Sequence, residues 1–558
     1  MKGHYLFIPV VATLLMAGCS QDEVDPVNGG GNGDATTSYM AVNLMSSDVA
    51  GSRAASGYED GSDIENKVEK VRFYFFTANG AVANVKLQGG SYVNYYDWTP
   101  GTGDQADDKD TDDTESILAA TIIISTKDGD KLPQSVAAVL NPTDDLGSES
   151  KSLTALKELV KDYAADEMTK IGKFVMFNSV YGKDKAEVCA VPIESVNLQK
   201  KAEDAMNHPV TIYVERSVAK VKVSLASLAD YKDGKLALKD KKGGNDLKVN
   251  GQQVYLKLNN WSLTAETDEG RLVKAIDPTW TSDWWNGTGQ FAHRSFWAIN
   301  SSTADNDYFK YSDIKAGFQD ALYTNENALD FDAKNTIKRT KVIIKGTLCK
   351  EDGTPFTIVR HLGAHFADTY SDNNSENLPE LKKNILSQLS ANGYLYYFGN
   401  DTERTQIGTD DIQIVIAKQL TNEDSKNNCY VYAQLTEAAK GKTWYASSDK
   451  AVTETIAADD INTNLANKID RALVWNSGMT YYYYEIIHNG TGENATKGVV
   501  RNHIYATSVT SIAGLGTPVY DPTQVIYPEK PDPNDHFIAA EVNILSWRVV
   551  NNSYDLEW

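Results

Sequence analysis

Much of this chain falls into short strand-like runs, some apolar throughout and some alternating apolar and polar residues with a period of two, the rhythm that turns successive side chains to opposite faces of a strand. Val71 to Phe76 reads as a strand that leads to Asn79-Gly80, a hairpin turn signal. Ile117 to Ile124 and Val136 to Leu140 are β-branched or apolar runs, the second closed by Asn141-Pro142. Phe174 to Tyr181, Val210 to Val214 and Val218 to Leu225 keep the same character. Beyond them come Val254 to Leu263, Phe296 to Ile299, Val342 to Leu348, Phe356 to Val359, Tyr394 to Phe398, Ile412 to Ile416 and Tyr430 to Leu435, then Met479 to Ile487 and Val499 to Ile512. Ser152 to Met168 departs from the rhythm, since Leu153, Leu156, Leu159, Val160 and Tyr163 recur at helical spacing behind Ser152 as a cap. The pattern predicts a mainly all-β chain of antiparallel sandwich type with long loops and a few short helices.

The two ends are patterned differently. Lys2 precedes an apolar run from Tyr5 to Met16 that closes on Leu15-Met16-Ala17-Gly18-Cys19, a bacterial lipoprotein signal. The run is well short of the roughly 20 residues a spanning helix needs. Cys19 is therefore expected to carry lipid, palmitate included, and to become the N-terminus. Gln21 to Ser38, acidic and then glycine-rich, is a flexible spacer. Tyr39 to Met45 reads as a strand with Met40, Val42 and Leu44 on one face. Small polar residues follow, and within them Arg53-Ala54 is open to a trypsin-like protease.

At the other end, a Pro- and charge-rich linker from Tyr527 to Asp535 leads into Phe537 to Val550. There Ile538, Ala540, Val542 and Ile544 share one face, and Leu545, Trp547 and Val549 continue on the other, which suggests a bulge. The chain ends Tyr554-Asp555-Leu556-Glu557-Trp558, alternating apolar and acidic where termini are usually polar and frayed. Such a tail is either the last strand of the chain's own sheet or one that completes a neighbour's.

Composition narrows the function. The 558 residues suggest about two to four domains. A charge of −22, from 54 basic and 76 acidic residues, repels nucleic acid. Thirty tyrosines and ten tryptophans against four cysteines favour a β-rich body held by packing. Once Cys19 is set aside, Cys189, Cys349 and Cys429 permit at most one bridge, and buried thiols are the favoured reading. No zinc-protease, P-loop, Cys-x-x-Cys or nucleophile-elbow motif occurs, so no catalytic, cofactor or metal residues are expected. His361 and His365 have the spacing of ligands on a helix, but Gly363 between them and the lack of a third ligand favour an ordinary structural role. The acidic run from Asp104 to Glu115 lacks the Gly and Glu of a calcium loop, and Gly287-Thr288-Gly289 lacks the strand and third glycine of a dinucleotide site. Trp280, Trp284 and Trp285 with Asp283 and Asn286 make an aromatic and polar cluster that suits a sugar ring, although core packing is favoured for it.

Several segments together resemble the Bacteroidales fimbrillins, the FimA-like and Mfa-like major subunits of type V pili. The carrying residues are the lipobox at Cys19, Arg53-Ala54, Val214-Glu215-Arg216-Ser217-Val218-Ala219-Lys220-Val221 and Asn260-Trp261-Ser262-Leu263. The most specific are Val499-Val500-Arg501-Asn502-His503-Ile504-Tyr505, Gly514-Leu515-Gly516-Thr517-Pro518-Val519, and the tail from Trp547 to Trp558. The resemblance runs end to end, with much of the middle matching in pattern only.

It implies two transthyretin-like, Greek-key β-sandwich domains: residues 1–19 as signal, 20–53 as propeptide with spacer and removable strand, 54–215 and 216–530 as the domains, and 531–558 as linker and donor strand. It implies further that an outer-membrane lipoprotein precursor is cut between Arg53 and Ala54 by an Arg-specific, trypsin-like protease. The strand bearing Met40, Val42 and Leu44 is then lost. The tail of another copy, with Val542, Ile544, Leu545, Trp547, Val549, Tyr554, Leu556 and Trp558 as donor residues, fills its place. The partners so implied are copies of the chain, anchor and tip subunits, and host or bacterial surface ligands, in a fimbrium supporting adhesion and biofilm formation. A tip adhesin or a monomeric glycan-binding surface lipoprotein is the alternative.

Overall fold

The computed structural model describes residues 37–47, 61–86, 91–101, 105–106, 114–127, 130–162, 171–183, 186–228, 230–267, 269–276, 293–294, 298–299, 309–328, 339–368, 379–400, 402–416, 430–489, 496–526, 537–539 and 548–557. Cys19, Arg53, Ala54, Cys429, Val542, Ile544, Leu545, Trp547 and Trp558 lie outside them, as do Trp280, Asp283, Trp284, Trp285, Asn286 and the 287–289 turn. So do most of the acidic run and Phe296.

The chain is all-β with a few short helices. In its first third, strands β1 (Thr37–Ser47), β2 (Val71–Phe76), β3 (Tyr95–Trp98), β4 (Gln105–Ala106), β5 (Thr114–Ser125), β6 (Ser135–Leu140), β7 (Met176–Asn178) and β8 (Val210–Arg216) join one sheet in the order β3-β2-β6-β7-β8-β1-β5-β4. Strands β2 and β6 are buried along nearly their whole length, so both read as continuous apolar runs. Strand β5 alternates, with Leu118, Ala120, Ile122 and Ile124 buried and Ile123 exposed. The helix expected over 152–168 is only Leu153–Lys157, capped as read by Ser152, whose Oγ accepts from the Ala155 amide at 3.1 Å. Val160–Asp162 pairs instead with Glu269–Arg271, a tertiary ladder that overrides helical periodicity.

The C-terminal body uses β9 (Ala219–Ser224), β10 (Tyr255–Thr264), β11 (Ala321–Thr324), β12 (Lys341–Cys349), β13 (Thr357–His361), β14 (Ala364–Asp368), β15 (Ile412–Ile416), β16 (Tyr430–Leu435), β17 (Ala472–Trp475), β18 (Met479–Glu485), β19 (His503–Ala513), β20 (Phe537–Ala539) and β21 (Arg548–Glu557). One sheet runs β11-β9-β19-β21-β20, and a second contains β10-β12-β18 flanked by shorter strands. Val221, Val223, Tyr505 and Val509 of the first pack on Trp261, Ile344, Tyr482 and Tyr484 of the second, a sandwich core. In β10 the inward residues are Leu256 and Leu258, then Trp261 and Leu263. A bulge between Leu258 and Asn260 resets the phase so that Trp261 faces the core. Its indole then donates to the Gly317 carbonyl at 2.8 Å.

The sequence suggests one sandwich through the 350–478 stretch, and here the structure differs. Strands β13 to β17 form their own sheet, order β14-β13-β17-β16-β15, around a separate core that includes Ile385, Leu389, Trp444 and Leu465. The module enters and leaves at one point, because Thr347 of β12 pairs with Met479 of β18. Gly478 sits at that junction with φ of 70°, and a Cβ there would lie 2.1 Å from the Leu348 carbonyl oxygen. Gly478→Ala is therefore expected to cost about 2–3 kcal/mol of stability, read as a lower denaturant midpoint, because it combines a left-handed residue with a backbone collision.

Candidate assembly site

Strand β1 is central, not peripheral. It runs antiparallel to β5 from Thr37 opposite Ser125 to Ser47 opposite Thr114, and parallel to β8 from Val42 opposite Val210 to Ser46 opposite Val214. Met40 and Val42 are fully buried, as the period-two reading of this strand requires, and they sit beside Ile122 and Ala120 of β5. The side chain of Leu44 is outside the described set, and its partners Leu118 and Ile212 are buried. Without β1 the sheet would be split: β4 and β5 would part from β8, leaving two unpaired ladders and an apolar floor.

The tail occupies a comparable position. Strand β21 lies parallel to β19, from Arg548 opposite His503 to Glu557 opposite Ala513, with one register shift between Val509 and Ser511. On its far side β20 pairs antiparallel, Phe537 opposite Glu557. Of the two readings of the tail, the last strand of its own sheet is the one seen in the single chain. Val549, Tyr554 and Leu556 fall opposite Ile504, Val509 and Ile512, all buried. Both β1 and β21 therefore have one parallel and one antiparallel neighbour.

A polar knot at the domain junction was not legible as chemistry in the sequence. Glu65, just downstream of the expected cut, receives the Lys220 ammonium at 2.6 Å, the Tyr323 hydroxyl at 2.6 Å, and the Ser62 amide and hydroxyl at 2.8 and 2.9 Å. Burial alone would raise the carboxyl pKa. The bonds from Lys220, Tyr323 and Ser62 outweigh it and hold the pKa at about 2. Arg216, at the end of β8, donates to the Glu65 carbonyl at 3.4 Å and to Asn66 Oδ1, and its own amide reaches Asn502 at 3.3 Å. Arg501 donates to Glu326 and, at 3.1 and 2.7 Å, to the carbonyls of Leu272 and Arg271. Lys274 and Glu215 form a further buried pair at 2.8 Å. The resembling segments around 214–221 and 499–505 are thus where the two bodies are tied. Their sequence signal was a charged residue among apolar ones, Arg216 at the end of its strand and Arg501 in the turn that precedes β19.

A depressed carboxyl gives stability that is present above its unfolded pKa and lost as pH falls toward its folded one. The wild-type chain should accordingly lose stability between pH 4.5 and about 2 in a way that Glu65→Gln does not, which urea midpoints measured across that window would reveal.

The remaining singled-out residues fall into structural roles. His361 and His365 lie on the β13–β14 hairpin, not on a helix, because Leu362 and Gly363 both take positive φ in the tight turn between them. The His361 ring meets the Asp470 carbonyl at 3.1 Å. His503 contacts the Arg501 carbonyl at 2.7 Å and packs edge-on against His488. Cys189 and Cys349 are buried free thiols, and burial pushes the first up to about 11. Among the described residues no cluster could hold a metal, and no helix is long and apolar enough to cross a membrane.

Residues 474–553, from the end of β17 into β21, match the family model described as major fimbrial subunit protein type IV, fimbrillin, C-terminal. The C-terminal part of the chain is thus similar to the C-terminal part of fimbrillins. No curated protein matches the chain. Among solved structures it is similar to a fimbrilin (FimA) from Porphyromonas gingivalis W83, at 13% identity over 93% of this chain and 97% of that one with a TM-score of 0.33. It is also similar to a fimbrial assembly protein from Parabacteroides distasonis ATCC 8503, at 11% identity over 74% and 100% with a TM-score of 0.28. A third is the tip fimbrial protein Mfa3 from Porphyromonas gingivalis with C-terminal truncation, at 13% over 59% and 84% with a TM-score of 0.26.

Proposed function

We propose that the protein is the shaft subunit of a fimbria, built by exchange of a terminal strand. The precursor is lipidated at Cys19, reaches the outer surface and is cut between Arg53 and Ala54 by an Arg-specific protease. Strand β1 then leaves its slot, and β21 of another copy enters between β5 and β8. In this reading the body divides into residues 54–215 and 216–530, ahead of the linker and donor at 531–558.

The observation that carries the reading is the position of β1: the strand ahead of the expected cut is a central one, paired on both sides. A vacated slot exposes two ladders and an apolar floor, and each fully buried Met, Val or Leu side chain returned to it contributes about 1.5–3 kcal/mol. β21 suits the slot in length, ten residues against eleven, and in its mixed pairing. It must leave its own sheet to donate, so one two-sided position is exchanged for another. The uncut chain has both its slot and its donor occupied and stays a monomer.

The test reads the N-terminus of the surface protein by mass spectrometry and compares unheated with boiled denaturing gels. Ala54 as first residue, with a ladder that collapses only on boiling, supports the shaft reading. Arg53→Ala should give a lipid-anchored monomer, and deleting residues 537–558 a cut subunit that does not polymerise. Normal fibres from either variant would sink it, while a lipidated Cys19 and a single band would mean an anchor or a monomeric binding lipoprotein.

A further inference from the structure

Across the outer face of the β11-β9-β19 sheet the ladders set residues in rows. In one row Tyr323, Lys220 and Ile504 stand side by side, and Glu65 closes over them through its bonds to Lys220 and Tyr323. The next row is Ala321, Lys222 and Ala506, and the one after it pairs Ser224 with Ser508. Two alanines flanking Lys222 leave room where a tyrosine and an isoleucine fill the row before, and a cleft of about 540 Å³ opens there.

Both walls of the cleft are fixed. Gly61 and Ser62 form one, held by the Asn66 side chain on the Gly61 carbonyl at 3.0 Å and by Glu65 on the Ser62 amide and hydroxyl. Phe318, Gln319 and Asp320 form the other. Their turn is pinned twice: the Trp261 indole donates to the Gly317 carbonyl at 2.8 Å, and the Gly317 amide donates to the Asp320 carboxylate at 2.6 Å. A ligand entering such a cleft has little protein to order on binding.

We propose that this cleft is a binding site for a neutral saccharide. Its charges balance, Lys220 and Lys222 against Glu65 and Asp320, although the whole chain carries −22. A phosphate or an acidic sugar calls for surplus cations and a polyamine for surplus carboxylates, and the lining has neither. An apolar ligand would strip water from Lys222 and the serine hydroxyls and return no hydrogen bond. Sugar hydroxyls donate and accept at once, which suits a lining where the Lys222 ammonium, the Asp320 carboxylate, the Gln319 amide and the hydroxyls of Ser224 and Ser508 stand together. Half-buried Phe318 adds an apolar surface for the C–H face of a pyranose ring. The volume lies within the roughly 300–1,000 Å³ of small-ligand sites. Every lining residue is downstream of Arg53 and outside β1 and β21, so the site stands apart from the cut and the strand exchange proposed above.

The experiment titrates the uncut full chain, by saturation-transfer NMR and calorimetry, with the methyl glycosides of glucose, galactose, mannose, fucose and N-acetylglucosamine. N-acetylneuraminic acid and inorganic phosphate serve as charged probes. At least one neutral glycoside should bind with a Kd below about 10 mM, and both charged probes more weakly than it. Ala506→Leu and Ser508→Leu fill the floor from two adjacent rows, and each should weaken binding at least about tenfold. Gln319→Ala, at an exposed position on the wall, should weaken it about three- to tenfold and leave the unfolding midpoint unchanged. Binding by none of the neutral glycosides, or tighter binding of either charged probe, would overturn the proposal. So would an affinity indifferent to Gln319→Ala and to whichever floor variants keep the wild-type unfolding midpoint.

Discussion

Met40→Ala and Val42→Ala are expected to destabilise the uncut precursor by about 2–4 kcal/mol each and to leave the assembled fibre unchanged. Both side chains are fully buried in the N-terminal core, Met40 opposite Ile122 of β5 and Val42 between Ala120 of β5 and Val210 of β8. Truncating them removes apolar contact and leaves cavities that a central strand paired on both sides cannot collapse. If the mature subunit has lost β1, neither residue is present in the fibre, and the heat or detergent resistance of the polymer has no reason to move. Urea midpoints of the precursor and boiling temperatures of the fibre measure the two halves separately. An equal loss in both would show that β1 stays in its slot after assembly.

The second large effect is expected at Arg501. Its side chain is 1% exposed, it bonds the equally secluded Glu326, and it also satisfies the carbonyls of Leu272 and Arg271. Arg501→Met leaves a buried carboxylate without its cation and two carbonyls without a donor, which should cost about 3–5 kcal/mol. Adding Glu326→Gln removes the stranded charge, so the double variant should be more stable than Arg501→Met alone. Unfolding midpoints of wild type, both single variants and the double variant close the cycle. Additive losses would mean that the pair is not what holds this part of the junction.

Much of this was legible in the chain, and the reasons for what was not are specific. The strand with Met40, Val42 and Leu44 on one face could be read from local period alone. Its central place could not, because its parallel neighbour begins at Val210, far along the chain. The tail was recognisable as a strand built for burial. Only the ladder to His503 through Ala513 says which sheet holds it in the single chain. The helix expected over 152–168 was overread because Val160–Asp162 has a partner near residue 270 that outweighs local spacing. The module between Cys349 and Gly478 was missed for a similar reason: its strands look like any others, and what sets them apart is that Thr347 and Met479 meet. The Glu65, Arg216 and Arg501 ties join residues separated by 150 positions and more, beyond any local pattern.

Strand exchange requires the tail to leave its own sheet after the cut and enter another copy. A photo-crosslinking residue such as benzoylphenylalanine in place of Tyr554, activated in assembled fibres and mapped by mass spectrometry, addresses this most directly. Strand exchange predicts crosslinks to residues 114–125 or 210–216 of a second copy, the walls of the slot that β1 vacates. Crosslinks confined to residues 503–513 of the same chain, where β21 lies in the monomer, would contradict it.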